Sequence, residues 1–374
     1  MAPSVSPALF KTRPAVRIGN DAISATILTG GGHIVRALQP ISPPAATPPP
    51  AAAHRLLLRA QALVQRADSP FTNDESEDFG SPLWIPPWPT ADPALSELAD
   101  PEIFGTEKTP PHPPGCSGMQ LGFVTLSARG AGEDLEGHYL LPHIMGHNLC
   151  LDVFGGQTDA EVSAPIPGSA GPPVISGLHG EAGACTWDVV HKHQDADGAS
   201  VTLAAHLRRT CLEVQRTFSV TADGDAVRVD ETIVNLVGFQ RALGCANHIT
   251  LGEGFLKSGS TRFACNADKG QTWMEPGQTT TFADNTSQLP ALPPPRLRHS
   301  SDLTACRCCA AFDYPSIPAK GGGAPLDWTR YPRGPTPHSD LCTLRIKPDE
   351  EHGWLVAENR DRGEALVYVW ERET

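Results

Sequence analysis

Three separate stretches of the sequence place a histidine beside glycine or asparagine. They are GLHGEAG with His179 and Glu181, IMGHNLCLDVFGG with His147 and Asn148, and GCANHITLG with Asn247 and His248. Imidazole titrates near neutral pH, so a histidine can give or take a proton during a reaction. The glycines leave room for a ligand to approach the backbone. A packing role is the commoner explanation of each histidine alone, so a shared chemical site depends on the stretches meeting in space.

A fourth stretch, GSPLWIPPWPTADP, holds Trp84 and Trp88 between prolines. Prolines hold this loop extended, and a rigid, partly exposed indole stacks on the apolar face of a sugar ring with little loss of entropy. The alternative is that both tryptophans close one end of a β-barrel or sandwich. The sequence leaves both roles open.

The cysteines give a weaker signal, for a metal. Only CRCC, with Cys306, Cys308 and Cys309, brings several of the 10 cysteines together. Zinc sites usually need two separated pairs of ligands, whereas this triplet and nearby His299 supply one crowded group. We therefore expect reduced, buried thiols and no metal site.

The elements that must position these residues are predicted to be strands. Apolar residues alternate with polar or small ones on both sides of the turn GND, at Val16, Ile18, Ile23, Ala25 and Ile27. Similar strand-like patterns, rich in β-branched and apolar residues, occur in ASVTLAAHL, LEVQRTFSV, AVRVDETIVNL, ITLGEGFL, LCTLRIKP, GWLVAEN and ALVYVWE. Many such strands and few helical patterns predict an all-β fold, a large antiparallel β-sandwich.

The domain organisation follows from the same pattern. We expect a disordered N-terminus over residues 1–13 and a single domain over residues 14–374. An insertion over residues 40–80 interrupts it with a Pro/Ala-rich linker, a short amphipathic helix at 54–67 and an acidic loop.

Composition argues against several classes of partner and location. The formal net charge is −13 and no basic block occurs, which disfavours nucleic acid and anionic membranes as partners. No apolar run reaches the roughly 18 residues of a membrane-spanning helix. The N-terminus lacks the apolar core of a secretory signal, so we expect a cytoplasmic protein, with organelle targeting as the weaker alternative.

In their order along the chain, GGGHI, PLWIPPWP, IMGHNLCLDVFGG, HGEA and NHITLG resemble the galactose mutarotase-like superfamily, and more closely its uncharacterised aldose 1-epimerase-like members. The resemblance extends from about residue 14 to the C-terminus, apart from the insertion. It implies a β-supersandwich whose open face binds a hexose, together with few short helices.

The resemblance also implies roles for the histidines. His248 matches the general acid that protonates the ring oxygen of the sugar, and His179 matches the histidine that binds the sugar and positions its oxygens. The further substrate-binding candidates are His147, which matches loosely, and Asn148, Asn247, Trp84, Trp88 and Glu181. Interconversion of α and β anomers needs an acid and a base and no metal or organic cofactor.

The sequence departs from the family at the base. The family uses a glutamate close to the C-terminus, and this sequence ends at ALVYVWERET without a clear match. Glu358 in VAENR is the candidate catalytic substitute, because Glu371 and Glu373 lie where preorganisation is poor. Either the chain is truncated, or the base lies elsewhere, or the protein binds sugar without turning it over.

Two functional predictions follow, with a small-molecule sugar as the partner in both. One is an isomerase of the aldose 1-epimerase type, and the alternative is a non-catalytic sugar-binding or regulatory protein on the same scaffold. A sugar-phosphate epimerase is disfavoured, because Arg208, Arg209 and Arg216 all lie within strand patterns rather than on a visible open face.

Overall fold

The protein is built almost entirely of strands. The computed structural model describes residues 2–38, 81–86, 92, 143–152, 179–207, 210–238, 240, 243–273, 310–331 and 341–371. Its strands are β1 Ser4–Phe10, β2 Arg13–Gly19, β3 Ser24–Leu28, β4 Ile34–Leu38, β5 His147–Leu151, β6 Asp188–Gln194, β7 Gly198–Leu207, β8 Leu212–Thr221, β9 Arg228–Asn235, β10 Cys245–Ile249, β11 Thr261–Cys265, β12 Ala267–Trp273, β13 Ala311–Asp313, β14 Ser316–Ile317, β15 Leu326–Asp327, β16 Leu341–Ile346, β17 His352–Asn359 and β18 Glu364–Glu371. Short 3-10 turns occur at Ala182–Ala184 and Lys320–Gly322. All strand pairings between these elements are antiparallel, which confirms the predicted all-β, antiparallel fold.

The chain divides by its contacts into two compact units. The first comprises Met1–Pro44 and Phe71–Gly252, and the second comprises Ala45–Pro70 and Glu253–Thr374. This division by contacts does not test whether the chain is the single domain predicted over residues 14–374, which stays a prediction.

Two antiparallel sheets form the described part of the first unit. One has the strand order β1-β2-β3-β4-β5-β10 and the other β6-β7-β8-β9. β1 and β2 contact strands of the second sheet, so the two sheets pack on each other as predicted for a sandwich. The alternation of the sequence explains the packing: Leu212, Val214 and Phe218 on one face of β8 are fully buried.

β1 corrects the prediction of a disordered N-terminus over residues 1–13. Its residues pair with those of β2 along their whole length, and Lys11 and Thr12 form the turn between them at φ values of 46° and 69°. β1 lies at the edge of its sheet, where a proline such as Pro7 is tolerated. The prolines and the weak apolar alternation of an edge strand that is at most half-buried concealed it in the sequence.

Asn20 fastens the turn between β2 and β3 to the turn after β8. Its Oδ1 accepts hydrogen bonds from the backbone N–H groups of Ala22 and Ile23, at 2.7 and 2.8 Å. Its Nδ2 donates to the carbonyl oxygens of Thr221 and Gly224, both at 2.7 Å. One side chain therefore satisfies four backbone groups that belong to two hairpin turns.

The second unit holds smaller sheets. Their strand orders are β11-β17-β18, β13-β12-β16 and β14-β15. Gly353 in β17 lies under the indole of Trp370, where a Cβ atom would come within 2.1 Å of the ring. A side chain at that position would require the exposed indole of Trp370 to move.

Most of the predicted strands are confirmed, namely the two flanking GND and those in ASVTLAAHL, LEVQRTFSV, AVRVDETIVNL, LCTLRIKP, GWLVAEN and ALVYVWE. The strand predicted in ITLGEGFL is wrong beyond its first residue, because β10 ends at Ile249 and only an isolated bridge between Leu251 and Leu83 follows. The predicted insertion over 40–80, with its helix at 54–67 and its acidic loop, lies outside the described residues. Within the described ranges, no helix is long and apolar enough to cross a membrane.

Candidate functional site

β5 and β10 form the centre of the candidate site. They pair antiparallel, with His248 opposite Asn148 and Ile249 opposite His147. Successive residues of a strand point to opposite faces, so His248 and Asn148 share one face of the pair while His147 and Asn247 share the other. The structure thus divides the predicted residues between two faces. It also corrects the position of His248, which lies near the end of its strand and not at its head.

His179 meets His248 on the first face. Their ring centroids lie 4.9 Å apart with the ring planes tilted by 41°. The His248 Nδ1 atom lies 3.3 Å from the hydroxyl oxygen of Thr250, and either group can donate. Two histidines from distant parts of the sequence therefore form one imidazole pair.

A tight backbone turn delivers His179 to this position. His179 adopts a φ of 59° and Gly180 a φ of 81°, both in the left-handed region. A Cβ atom on Gly180 would lie 2.0 Å from the carbonyl oxygen of Leu151, the last residue of β5. The glycine after His179 is therefore needed for close approach of the turn to β5, which gives the HG pair in GLHGEAG a structural reason.

Burial keeps the histidines of the pair uncharged. Burial, and then the neighbouring His248, lower the pKa of His179 to about 3. Burial also lowers the pKa of His248 below its usual value. Both rings are therefore predominantly neutral at pH 7, where each carries one N–H donor and one acceptor nitrogen.

A network of polar side chains occupies the opposite face of the β5–β10 pair. The Asn247 Oδ1 atom lies 2.8 Å from His147 Nε2 and accepts a hydrogen bond from Arg216 Nη2 at 3.1 Å. The Asn247 Nδ2 group donates to Glu231 Oε2 at 3.2 Å. Glu231 is also paired with Arg216, with 2.9 Å between Nε and Oε1.

Arg216 lies within a strand, as the sequence indicated, but the sequence analysis did not assign it to the site. Its side chain is 0% exposed, it donates to the carbonyl oxygen of Gly32 at 3.0 Å, and it lies 5.2 Å from the centroid of the Phe218 ring. The signal was available in LEVQRTFSV, because alternation puts Arg216 on the buried face of β8 with Val214 and Phe218. A buried arginine implies a partner, and Glu231 on the next strand provides it.

Burial also lowers the pKa of two further histidines of this unit. It is the main cause for His147, whose pKa falls to about 3, and the positive charge of Arg216 adds to it. His33 is completely buried, and burial followed by the charge of Arg13 lowers its pKa well below the usual value. His33 and His147 are therefore neutral at pH 7, like the His179–His248 pair.

The remaining predicted residues of the first unit have protein partners of their own. Glu181 accepts hydrogen bonds from the backbone N–H and the hydroxyl of Thr210, at 3.3 and 3.4 Å. Asn148 is fully buried, and its amide group lies 3.7 Å from the sulfur of Cys150. Their substrate-binding roles stay predictions.

Trp84 joins the site through its backbone. Its N–H donates to the carbonyl oxygen of Thr250 at 2.8 Å, and its carbonyl accepts from the N–H of Gly146 at 2.7 Å. It therefore lies beside the ends of β5 and β10, with a half-buried side chain. Trp88 lies outside the described residues.

Glu358, the predicted base, lies on β17 in the second unit. It is 9% exposed and pairs with Arg360, with 3.2 Å between Nε and Oε2. Its catalytic role stays a prediction.

The described residues contain no group of three or more histidine, cysteine or acidic side chains that could hold a metal ion. The cluster Cys306, Cys308 and Cys309 with His299 lies outside them, as do Arg208 and Arg209. The described cysteines form no disulfide with one another, and the reduced state of the chain stays a prediction.

Comparisons with known proteins find similarity only among solved structures. No family model matches the sequence, and no curated protein matches it. YeaD of Salmonella typhimurium, a mutarotase candidate, gives a TM-score of 0.33 at 11% identity over 72% of this chain. A galactose mutarotase-like protein of Clostridium acetobutylicum gives 0.36 at 12% over 74%, and the Slr1438 protein of Synechocystis gives 0.37 at 13% over 99%.

This chain spans 57% and 62% of the length of the first two structures and 83% of the third. The second carries the name of the superfamily that the sequence resembles, and the first is named as a mutarotase candidate. With TM-scores of 0.33 to 0.37 these similarities carry no functional argument, so the function has to be inferred from the residues of the site.

Proposed function

We propose that this chain binds a free hexose and interconverts its α and β anomers at the His179–His248 pair. The observation that carries the proposal is the 4.9 Å approach of the two rings, which unites the HG and NH elements of the sequence. A pyranose presents its ring oxygen and its anomeric hydroxyl on the same carbon. Two adjacent imidazoles have the right spacing to address both oxygens at once.

In the proposed reaction a base takes the proton of the anomeric hydroxyl while His248 gives a proton to the ring oxygen. The bond between C1 and the ring oxygen breaks, and an open-chain aldehyde forms. Rotation about the C1–C2 bond exposes the other face of the aldehyde, and ring closure returns both protons with the roles reversed. Atoms and charges balance without a cofactor.

The proposal assigns the other residues by chemistry. His179, neutral at pH 7, orients a sugar hydroxyl through one N–H and one acceptor nitrogen. Trp84 is proposed to contact an apolar face of the ring.

Exchange spectroscopy by NMR tests the proposal directly. Wild-type protein added to α-galactose or α-glucose is expected to speed exchange between the anomeric signals above the buffer rate. His248→Gln should lower kcat by about a hundredfold or more, because general acid catalysis contributes about 10²–10⁴. The matched control is His206→Gln on the exposed face of β7, which should exchange the anomers at the wild-type rate. Equal exchange with and without wild-type protein for both sugars would contradict the proposal.

A sugar-binding protein without turnover is the second candidate, and one observation favours it. Burial lowers the pKa of His248, so only a minor fraction of the protein carries the acid proton at pH 7. If His248 acts as a protonated acid, kcat/KM should rise about tenfold when the pH is lowered from 8 to 7. Sugar binding by titration calorimetry with no exchange at pH 6 would establish the binding-only function.

A further inference from the structure

The Asn247 amide has a single possible orientation in its network. A guanidinium group only donates hydrogen bonds, so the Asn247 atom facing Arg216 Nη2 has to be oxygen. Its nitrogen then faces the Glu231 carboxylate, which can only accept when ionised. Both contacts demand the same orientation of the amide.

This orientation determines the tautomer of His147. Because the Asn247 oxygen cannot donate, His147 Nε2 has to carry the proton that joins the two atoms across 2.8 Å. The low pKa of His147 is in agreement, since Nδ1 then remains unprotonated at neutral pH. The ionic pair on β8 and β9 therefore fixes the protonation pattern of an imidazole on β5.

The network also restrains β10, because it holds the side chain of Asn247 on one face of that strand. Asn247 immediately precedes His248, and its side chain is held by groups from β5, β8 and β9. Arg216 is held in turn by Glu231 and by the carbonyl oxygen of Gly32. Any change in the network acts on the backbone that carries His248.

We propose that Arg216 and Glu231 are positioning residues. They orient the Asn247 amide and hold His147 in its Nε2–H tautomer, and they thereby keep the His248 ring in contact with the His179 ring. This assignment rests on the proposed function for its catalytic consequence and on geometry alone for the tautomer. It also makes Asn247 a bridging residue, since its oxygen already accepts two hydrogen bonds within the protein.

The experiment combines nitrogen NMR with kinetics on the full chain. Long-range ¹H–¹⁵N spectra of ¹⁵N-histidine protein should show the Nε2–H tautomer of His147 from pH 8 to pH 5. Glu231→Gln removes the charge and keeps the volume. Without the carboxylate, Arg216 loses the partner that holds it against the Asn247 oxygen, so the other tautomer of His147 should become populated. In anomer exchange the same variant should lose about tenfold to a hundredfold in kcat, with KM within about twofold, because the misplaced group does not set affinity.

Asp230→Asn is the matched control. It makes the same chemical change at the preceding residue of β9, where Asp230 pairs with Arg228 on the exposed face. It should leave the tautomer and kcat at wild-type values. Asn247→Leu is the second variant, which removes the acceptor from His147 and should also mix the tautomers.

Each outcome decides the assignment. An unchanged His147 tautomer in both Glu231→Gln and Asn247→Leu would overturn it, and so would a kcat loss equal to that of Asp230→Asn. If wild-type protein does not exchange anomers, the proposed function fails while the nitrogen spectra still decide the positioning role.

Discussion

At the scale of single residues, the chemistry of the site depends on imidazoles that are kept neutral. His147 and His179 are 4% and 3% exposed, and burial is the first cause of the low pKa of each. A neutral ring can donate from one nitrogen and accept at the other, which suits the hydroxyl groups of a sugar. The sequence could name these residues, because glycine and asparagine beside histidine are visible in it. It could not show that they occupy two faces of one strand pair.

The neutral histidines should make the protein sensitive to acid. The unfolded chain binds protons on these rings below about pH 6.5, whereas the folded chain binds them only near pH 3. Stability is therefore fully present above pH 6.5 and is lost as the pH falls toward 3, by about 1.4 kcal/mol per pH unit for each of the two histidines. Urea unfolding at pH 7, 6 and 5 measures this slope.

His147→Gln provides the comparison for that slope. It removes one of the two groups, so the loss of stability per pH unit should shrink by about 1.4 kcal/mol. Identical slopes for the variant and the wild-type protein would show that His147 is protonated in the folded state at these pH values.

At the scale of elements, short turns and edges decide where the functional groups lie. Alternation predicted β2, β3, β7, β8 and β9, because apolar side chains at every second position mark strands with one buried face. It failed for β1, where Pro7 breaks the pattern at an edge that tolerates it. It also failed for the end of β10, since the long-range pairing with β5 sets that boundary and leaves no local signal.

The turn at Gly180 should be the most sensitive local element of the site. Gly180→Ala combines a positive φ with an approach of 2.0 Å between Cβ and the Leu151 carbonyl oxygen, so it should lower the free energy of unfolding by about 2 kcal/mol or more. Gly238→Ala is the control, because a Cβ there meets nothing within 4 Å. Thermal unfolding of both variants measures the difference, and equal melting temperatures would refute the steric account.

At the scale of the whole molecule, buried thiols and an ion pair with a buried arginine accompany the all-β architecture. The sequence predicted the fold class from strand texture alone. Alternation placed Arg216 on the buried face of β8, but it could not identify Glu231 as its partner, because that pairing depends on the register between β8 and β9.

Thiol labelling should separate the described cysteines by burial. Burial raises the pKa of Cys150 to about 12, so its thiol is protonated and unreactive in the folded protein. Cys245 is exposed on β10 and should react with a maleimide at pH 7.5. Peptide mass spectrometry after brief labelling should find modified Cys245 and unmodified Cys150, and labelling of both at equal rates would mean that β5 opens readily.

The four hydrogen bonds of Asn20 carry a consequence for the chemical ageing of this protein. Slow hydrolysis of the amide would convert Asn20 to Asp and replace a donor by an acceptor. The new carboxylate oxygen would then face the carbonyl oxygens of Thr221 and Gly224, where the amide nitrogen now donates. Repulsion between these oxygens would detach the turn after β8 from the turn between β2 and β3. A stored sample would thus lose the link between its two hairpins by a mass change of a single dalton, far from any site of chemistry.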